Sequence, residues 1–182
     1  MLLGAERAAK KAGISKEEAD EAALLSHERA GRVEKEGWLA PYIVPLFGST
    51  RDEAIRARMS ERLLARAPHV TDVPDGILTA ANACTMNDGA AFVALASDDW
   101  VKAHGARPMA EIKAVRASGG DAACPPLMAD KAVSQLLSRE GLSYEDIDTF
   151  EYNEAFAVIT ADFMKRHPSV NCLLYTSDAA DD

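Results

Sequence analysis

Asn153 and Glu154 stand directly in front of a largely apolar stretch, Ala-Phe-Ala-Val-Ile. From that position an amide can hold a water or polarise a carbonyl beside the positive end of a helix. Such a group serves reactions in which charge develops on oxygen, for example removal of a proton next to a carbonyl. Asn153 is also a good N-cap, because asparagine is among the strongest capping residues, and Glu154 suits the start of a helix electrostatically. A second polar group lies at 78–91, Leu-Thr-Ala-Ala-Asn-Ala-Cys-Thr-Met-Asn-Asp-Gly-Ala-Ala, where Cys84 and Met86 run into turn chemistry. Cys84, with a histidine from elsewhere, reads as a candidate thiol nucleophile. Arg56 is a planar cation suited to stacking and to anions, against a plain reading as solvated surface. His27 reads as an exposed helix residue. Phe156 reads as a core aromatic, and Cys124 as a small apolar residue before Pro125.

An alternation of helices and strands must position these groups. Ser15 and Glu18 have capping-box spacing, which predicts a helix over residues 16–35 with Ala19, Ala22, Ala23, Ala30 and Val33 on one face and Gly37 at its end. Residues 42–47 read as an edge strand around Pro45, 61–67 as a helix capped by Ser60, and 77–84 as a strand before a turn at 87–89. The apolar run 90–96 predicts a buried strand or helix, followed by a helix from Ser97 to about His104 that Gly105 closes. Alternation over 109–117 predicts another strand. Pro125 and Pro126 open a helix that Gly141 ends, Ser143 caps a short turn, residues 147–152 form a strand, and Asn153 caps a helix to about Arg166. This alternation implies an α/β fold with a covered sheet.

The chain resembles the thiolase family, the coenzyme A-dependent acyltransferases, in three places. Residues 141–157, Gly-Leu-x-x-x-Asp-Ile-Asp-x-Phe-Glu-x-Asn-Glu-Ala-Phe-Ala, match the family pattern over consecutive elements and are the most specific. Residues 78–91 are similar to the family's Thr-Ala-Gly-Asn-Ala-Ser-Gly-x-Asn-Asp-Gly-Ala-Ala, with Ala81 and Thr85 replacing glycines and Cys84 replacing a serine. Residues 1–6, 14–30 and 52–56 resemble the family's coenzyme-binding loop domain.

The resemblance implies a fragment of the duplicated thiolase fold, layered αβαβα. Residues 1–86 would form the loop domain at the end of the N-terminal half, 87–107 the last elements of that half, and 108–171 the start of the C-terminal half. It implies that the parent protein condenses two acyl-CoA molecules or cleaves a 3-ketoacyl-CoA with coenzyme A. Coenzyme A enters as substrate rather than as a tightly bound cofactor, and the parent is a homodimer or homotetramer. It also implies that Asn153 is catalytic, holding a water at the enolate oxygen, while Arg56, Cys84, Met86 and Phe156 contact the coenzyme. The nucleophilic cysteine is expected upstream of Met1, and the histidine and second cysteine downstream, so the segment alone is expected to be inactive. A non-catalytic thiolase-like protein that binds acyl-CoA or lipid would share the same segment, and a thiol hydrolase using Cys84 is a further alternative.

Composition narrows the partners. With 182 residues, 48% of them hydrophobic, the chain has the make-up of a folded protein rather than a disordered tail. The net charge of −9, with basic residues dispersed, excludes the footprint of a nucleic-acid binder. The longest apolar run, 90–96, is too short to span a bilayer and no leader pattern opens the chain, so no membrane partner and a cytoplasmic location are expected. Three cysteines and four histidines are scattered without ligand spacing, which speaks against a metal site and for reduced thiols. Residues 172–182 break from this composition. They resemble the translation of a sequencing-library adapter and are read as a non-native tail.

Overall fold

The computed structural model describes residues 1–56, 58–87, 90 and 92–170. Among them run α1 (Leu2–Ala12), α2 (Lys16–Glu36), α3 (Glu61–Ala65), α4 (Asp98–His104), α5 (Met128–Glu140) and α6 (Ala157–Arg166). The expected turn at 87–89 and the tail 172–182 lie wholly or partly outside the described residues.

Local chemistry sets the helix ends. Ser15 Oγ accepts the Glu18 N–H at 3.1 Å, and the Ser15 N–H donates to Glu18 Oε2 at 2.7 Å, so the capping box of α2 is closed on both sides. Gly37 ends α2 with φ of 81°, a left-handed conformation that costs a side-chain-bearing residue more than glycine. Ser60 and Ser97 accept backbone N–H groups at the starts of α3 and α4.

The main core lies where α2 meets α6. Ala19, Ala22 and Ala23 of α2 are buried with Ala157, Val158 and Ala161 of α6, and Leu64 and Leu78 close the cluster. Small side chains on both faces let the two helix backbones approach closely. Helix α1 buries Ala5, Ala8 and Ala9 in the same cluster. Gly4 packs tightly there, since a Cβ at this position would stand 3.0 Å from Pro125 Cδ. Lys165, near the end of α6, reaches back to the α1–α2 turn and donates to Gly13 O at 2.7 Å and Glu18 Oε1 at 3.1 Å. A second, aromatic cluster joins Leu137, Phe150 and Phe163. At its edge Tyr144 Oη donates to Asp130 Oδ1 at 2.7 Å while its ring stacks on His167 at 3.9 Å. Burial, then the Asp130 carboxylate, pushes the Tyr144 phenol well above its ordinary range.

The strand expectations meet a different outcome. Among the described residues the β pairing consists of three isolated antiparallel bridges, Leu46 with Ser49, His69 with Thr79, and Ala83 with Phe156. Residues 42–47 turn instead of pairing as a strand: a short 3₁₀ helix, Ala40–Tyr42, runs into the tight bridge at Leu46. Residues 147–152 and 109–117 carry no ladder, and Met109, Ile112 and Val115 are exposed. The described residues of the run 90–96 are not buried either, since Phe92, Val93 and Leu95 stand in solvent. β propensity expresses itself only against a partner strand, and no described segment supplies one here.

Candidate functional site

The segment 77–84 is fixed by two buried polar side chains. Glu6, in α1, accepts the Ile77 N–H at 3.0 Å, the Leu78 N–H at 3.1 Å and the Thr71 hydroxyl at 2.7 Å. Gly76 makes room for that carboxylate, since a Cβ there would lie 2.7 Å from Glu6 Oε1. Asn82 is 2% exposed, and its amide oxygen accepts the Thr79 N–H at 2.8 Å. Its amide nitrogen donates to Asp20 Oδ1 of α2 at 2.9 Å and to Ile77 O at 3.0 Å. A buried amide is tolerated at this cost only because all these groups are satisfied.

Asn82 also opens the link to the other half of the site. The Ala157 N–H donates to Asn82 O and the Cys84 N–H donates to Ala155 O, both at 3.0 Å, which makes a two-bond bridge between residues 82–84 and 155–157. In extended backbone, side chains alternate in direction. Ala157 therefore faces a cavity, while Phe156, at 6% exposure, is turned into the core.

That cavity, about 190 Å³, lies between α2 and the bridge and is lined in part by Ser26, His27, Arg56, Asn82, Cys84 and Glu154. Ser26 Oγ and Thr160 Oγ1 both donate to the Glu154 carboxylate, which fixes it between α2 and α6. His27 Nδ1 accepts the Arg56 N–H at 3.3 Å. Burial, then the neighbouring Arg56 charge, holds the imidazole below its ordinary pKa, with Glu154 pulling the other way, so the ring is neutral near pH 7. The Arg56 guanidinium donates to Ala80 O at 3.3 Å. An adjoining cavity of about 310 Å³ is lined by Asn153 and Glu151 and shares Ala22, Ser26, Glu154 and Thr160 with the first. Burial, then the Glu154 charge, raises the Glu151 carboxyl. The arrangement offers hydrogen-bond donors, one fixed carboxylate, a neutral imidazole and a cation around a narrow polar slot.

Cys84 and Arg56 thus share one cavity and Asn153 lines its neighbour. Asn153 is not the N-cap of α6. Phe156 takes that position, because the bridge holds Phe156 extended and the Ala155 N–H turns to Asn153 O, so helical geometry starts only at Ala157. Phe156 lines neither cavity and seals the core behind the bridge. Met86 is fully exposed, since the backbone pairing stops before it and nothing folds it back. His27 is the correction in the opposite direction: expected as exposed, it is half-buried and lines the cavity. Glu6, Ser26 and Asn82 escaped the sequence reading as site residues. The available signal was Asn82, a polar side chain among alanines that needs a partner in the fold. Among the described residues no group of three or more His, Cys, Asp or Glu is placed to hold a metal ion, and no helix is long and apolar enough to cross a membrane.

Comparison with known proteins gives this architecture a family. The thiolase N-terminal domain model matches residues 1–99 and the thiolase C-terminal domain model residues 106–170. The chain belongs to the thiolase family. It is 39% identical over 166 residues to a 3-ketoacyl-CoA thiolase of Aeromonas hydrophila, covering 86% of this chain and 43% of that protein. The crystal structure of the Bacillus anthracis acetyl-CoA acetyltransferase superposes with a TM-score of 0.82 at 32% identity, covering 90% of this chain and 43% of that one. Human mitochondrial 3-ketoacyl-CoA thiolase in complex with CoA superposes with a TM-score of 0.75 at 28% identity, covering 96% and 44%. Other relatives include cytosolic and mitochondrial proteins. The chain spans less than half the length of the curated relatives it matches. The α/β class expected from the sequence agrees with these neighbours, and the chain has the fold of part of a thiolase.

Proposed function

We propose that this chain is the middle of a thiolase-type acyltransferase that condenses two acyl-CoA molecules or cleaves a 3-ketoacyl-CoA with coenzyme A. Residues 1–86 would be its loop domain, 87–107 the end of its N-terminal half and 108–171 the start of its C-terminal half. One observation carries the reading: the bridge between residues 82–84 and 155–157 sets the Cys84–Arg56 cavity directly beside the Asn153 loop. Coenzyme A is a substrate in this scheme. Arg56 takes its nucleotide end, Cys84 and Met86 border its pantetheine arm, and Phe156 supports that wall from behind.

The chemistry runs in two half-reactions. A cysteine of the parent takes the acyl group from one thioester and releases coenzyme A thiol. A second acyl-CoA then loses a proton from the carbon next to its thioester, and that carbon attacks the acyl group and expels the cysteine thiolate. Asn153 serves the second half-reaction, holding a water against the oxygen on which the enolate charge gathers. The parent is assigned to the cytoplasm and to a homodimer or homotetramer. Titrating coenzyme A into the 182-residue chain, with and without alkylation of Cys84, tests the binding half of this reading. Saturable binding that alkylation blocks supports it, and absence of binding by a folded chain overturns it. Turnover of acetoacetyl-CoA by the 182-residue chain alone would also count against it, because residues that act as a unit lose almost all catalysis when separated.

A further inference from the structure

Asp20, on α2, divides its carboxylate between two partners. Oδ2 pairs with the Lys16 ammonium one turn earlier, which also donates to Leu64 O in α3 at 3.1 Å. Oδ1 accepts from the Asn82 amide nitrogen at 2.9 Å. The same nitrogen donates to Ile77 O, and the amide oxygen accepts the Thr79 N–H, so only one of the two flip orientations of Asn82 satisfies its surroundings. The main-chain oxygen of Asn82 accepts the Ala157 N–H at 3.0 Å. A continuous run of bonds therefore leads from α3 through Lys16, Asp20 and Asn82 to the first residue of α6, on the wall of the polar slot.

The near end of that run depends on charge. Lys16 and Asp20 border a groove of about 630 Å³ between α2 and α3, together with Glu17, Glu21 and Glu61. Among the described residues Lys16 is the one cation lining it. The pair is largely withdrawn from solvent, with side chains 23% and 14% exposed, so loss of one partner strands the other more severely than at an open surface. Without the Lys16 charge the Asp20 carboxylate is left among Glu17, Glu21 and Glu61 and swings toward water, and the Asn82 amide loses the acceptor that fixes its orientation.

We propose that Lys16 and Asp20 are positioning residues for the polar slot. Acting through Asn82, their ion pair sets where residues 82–84 stand against 155–157, and so how well the slot holds its ligand. Coenzyme A as that ligand rests on the proposed function, whereas the coupling rests on the bonds from Lys16 to Ala157.

The test compares Lys16→Met, Lys16→Arg, Asp20→Asn and Lys165→Met in the 182-residue chain. Lys165 serves as the control, since its bonds to Gly13 O and Glu18 also tie α6 to α2 but end away from Asn82. The readouts are the amide proton resonances of Ala157 and Cys84 in the isotopically labelled chain, coenzyme A affinity by calorimetry, and Tm. Asp20→Asn sets its new NH2 group against either Lys16 or Asn82. It and Lys16→Met should move the Ala157 resonance upfield, as the bond to Asn82 O lengthens, and weaken coenzyme A by about fivefold or more. Lys16→Arg, which keeps the charge, should recover most of both. Lys165→Met should lower Tm while leaving the two resonances and the affinity in place. If Lys16→Met lowers Tm alone, or if Lys165→Met moves the Ala157 resonance as far, the pair is only structural and the proposal falls. Should Lys16→Met not fold, Asp20→Asn decides by the same resonance, because it preserves the shape of the side chain. If the Ala157 resonance moves but the unaltered chain binds no coenzyme A, the coupling stands and the coenzyme reading fails. If coenzyme A binds all four variants equally and the resonance is unmoved, the coenzyme reading stands and the coupling fails.

Discussion

His27 and Asn153 each carry a prediction that their neighbours decide. Because Nδ1 of His27 accepts the Arg56 N–H, the proton of the neutral ring sits on Nε2, which gives the cavity a donor. The folded chain resists charging this ring, with Arg56 opposing the proton and Glu154 favouring it, so the unfolded chain binds the proton more readily. The His27 contribution to stability is therefore complete above the unfolded value near about 6.5 and is lost as pH falls through it toward the folded value. His27→Gln should flatten the part of the Tm-versus-pH curve below about pH 6.5, measured by thermal denaturation across pH 5–8. An unchanged curve would show that the ring titrates as it does in the unfolded chain. For Asn153, the structure separates roles that the sequence left merged. With Phe156 as the N-cap, Asn153→Ala should cost far less than the 0.5–2 kcal/mol of a lost cap, while under the proposed function it should slow carbon–carbon bond formation in the parent by roughly 10²- to 10³-fold. Burst acylation, steady-state turnover and Tm on the one variant check this, and a destabilised but fully active enzyme would return Asn153 to a purely structural role.

Among the elements, the segment 77–84 stands on Glu6 as much as on its own sequence. Glu6→Ala leaves the Ile77 and Leu78 N–H groups without their acceptor and should cost about 2–4 kcal/mol, read as a fall in the denaturant midpoint with the slope unchanged. Glu6→Gln, which keeps one acceptor oxygen, should cost less. Nothing in the residues around Glu6 announces this role, because its partners lie some seventy positions away. Capping and packing, by contrast, were legible. Ser15 with Glu18, Ser60, Ser97, Gly37 and Gly141 mark helix ends through bonds within four residues, and the alanine stripe of α2 shows its buried face directly. The resemblance singled out Cys84 and Arg56, and the structure brings both to the lining of one cavity. The start of α6 was not legible, because the backbone pairing of 155–157 with 82–84 overrides a good capping residue, and that pairing joins segments separated by more than seventy residues. The strands were over-read for a related reason: alternation tells which face a segment would bury and says nothing about whether a neighbour is present.

For the whole molecule, the exposed apolar residues set its behaviour in solution. Phe92, Val93, Leu95, Met109, Ile112 and Val115 stand in solvent on segments whose described residues carry no strand pairing. Such segments invite pairing with another chain. The 182-residue chain should therefore associate as its concentration rises, and the substitutions Phe92→Lys and Ile112→Lys should suppress this without lowering Tm, checked by light scattering and thermal denaturation. A chain that stays monomeric at high concentration would show these segments to be inert.

The two-bond bridge gives the site a clock. The Cys84 and Ala157 amides are donors of the same bridge, one on the segment that borders the polar slot and the other at the first turn of α6. Opening the bridge frees both amides to solvent at once, so their hydrogen–deuterium exchange should run at matched rates and slow together when the slot is filled. A ligand that touches only the Arg56 side would then be felt at the Asn153 loop as lengthened lifetimes of closed backbone, before any atom there has moved.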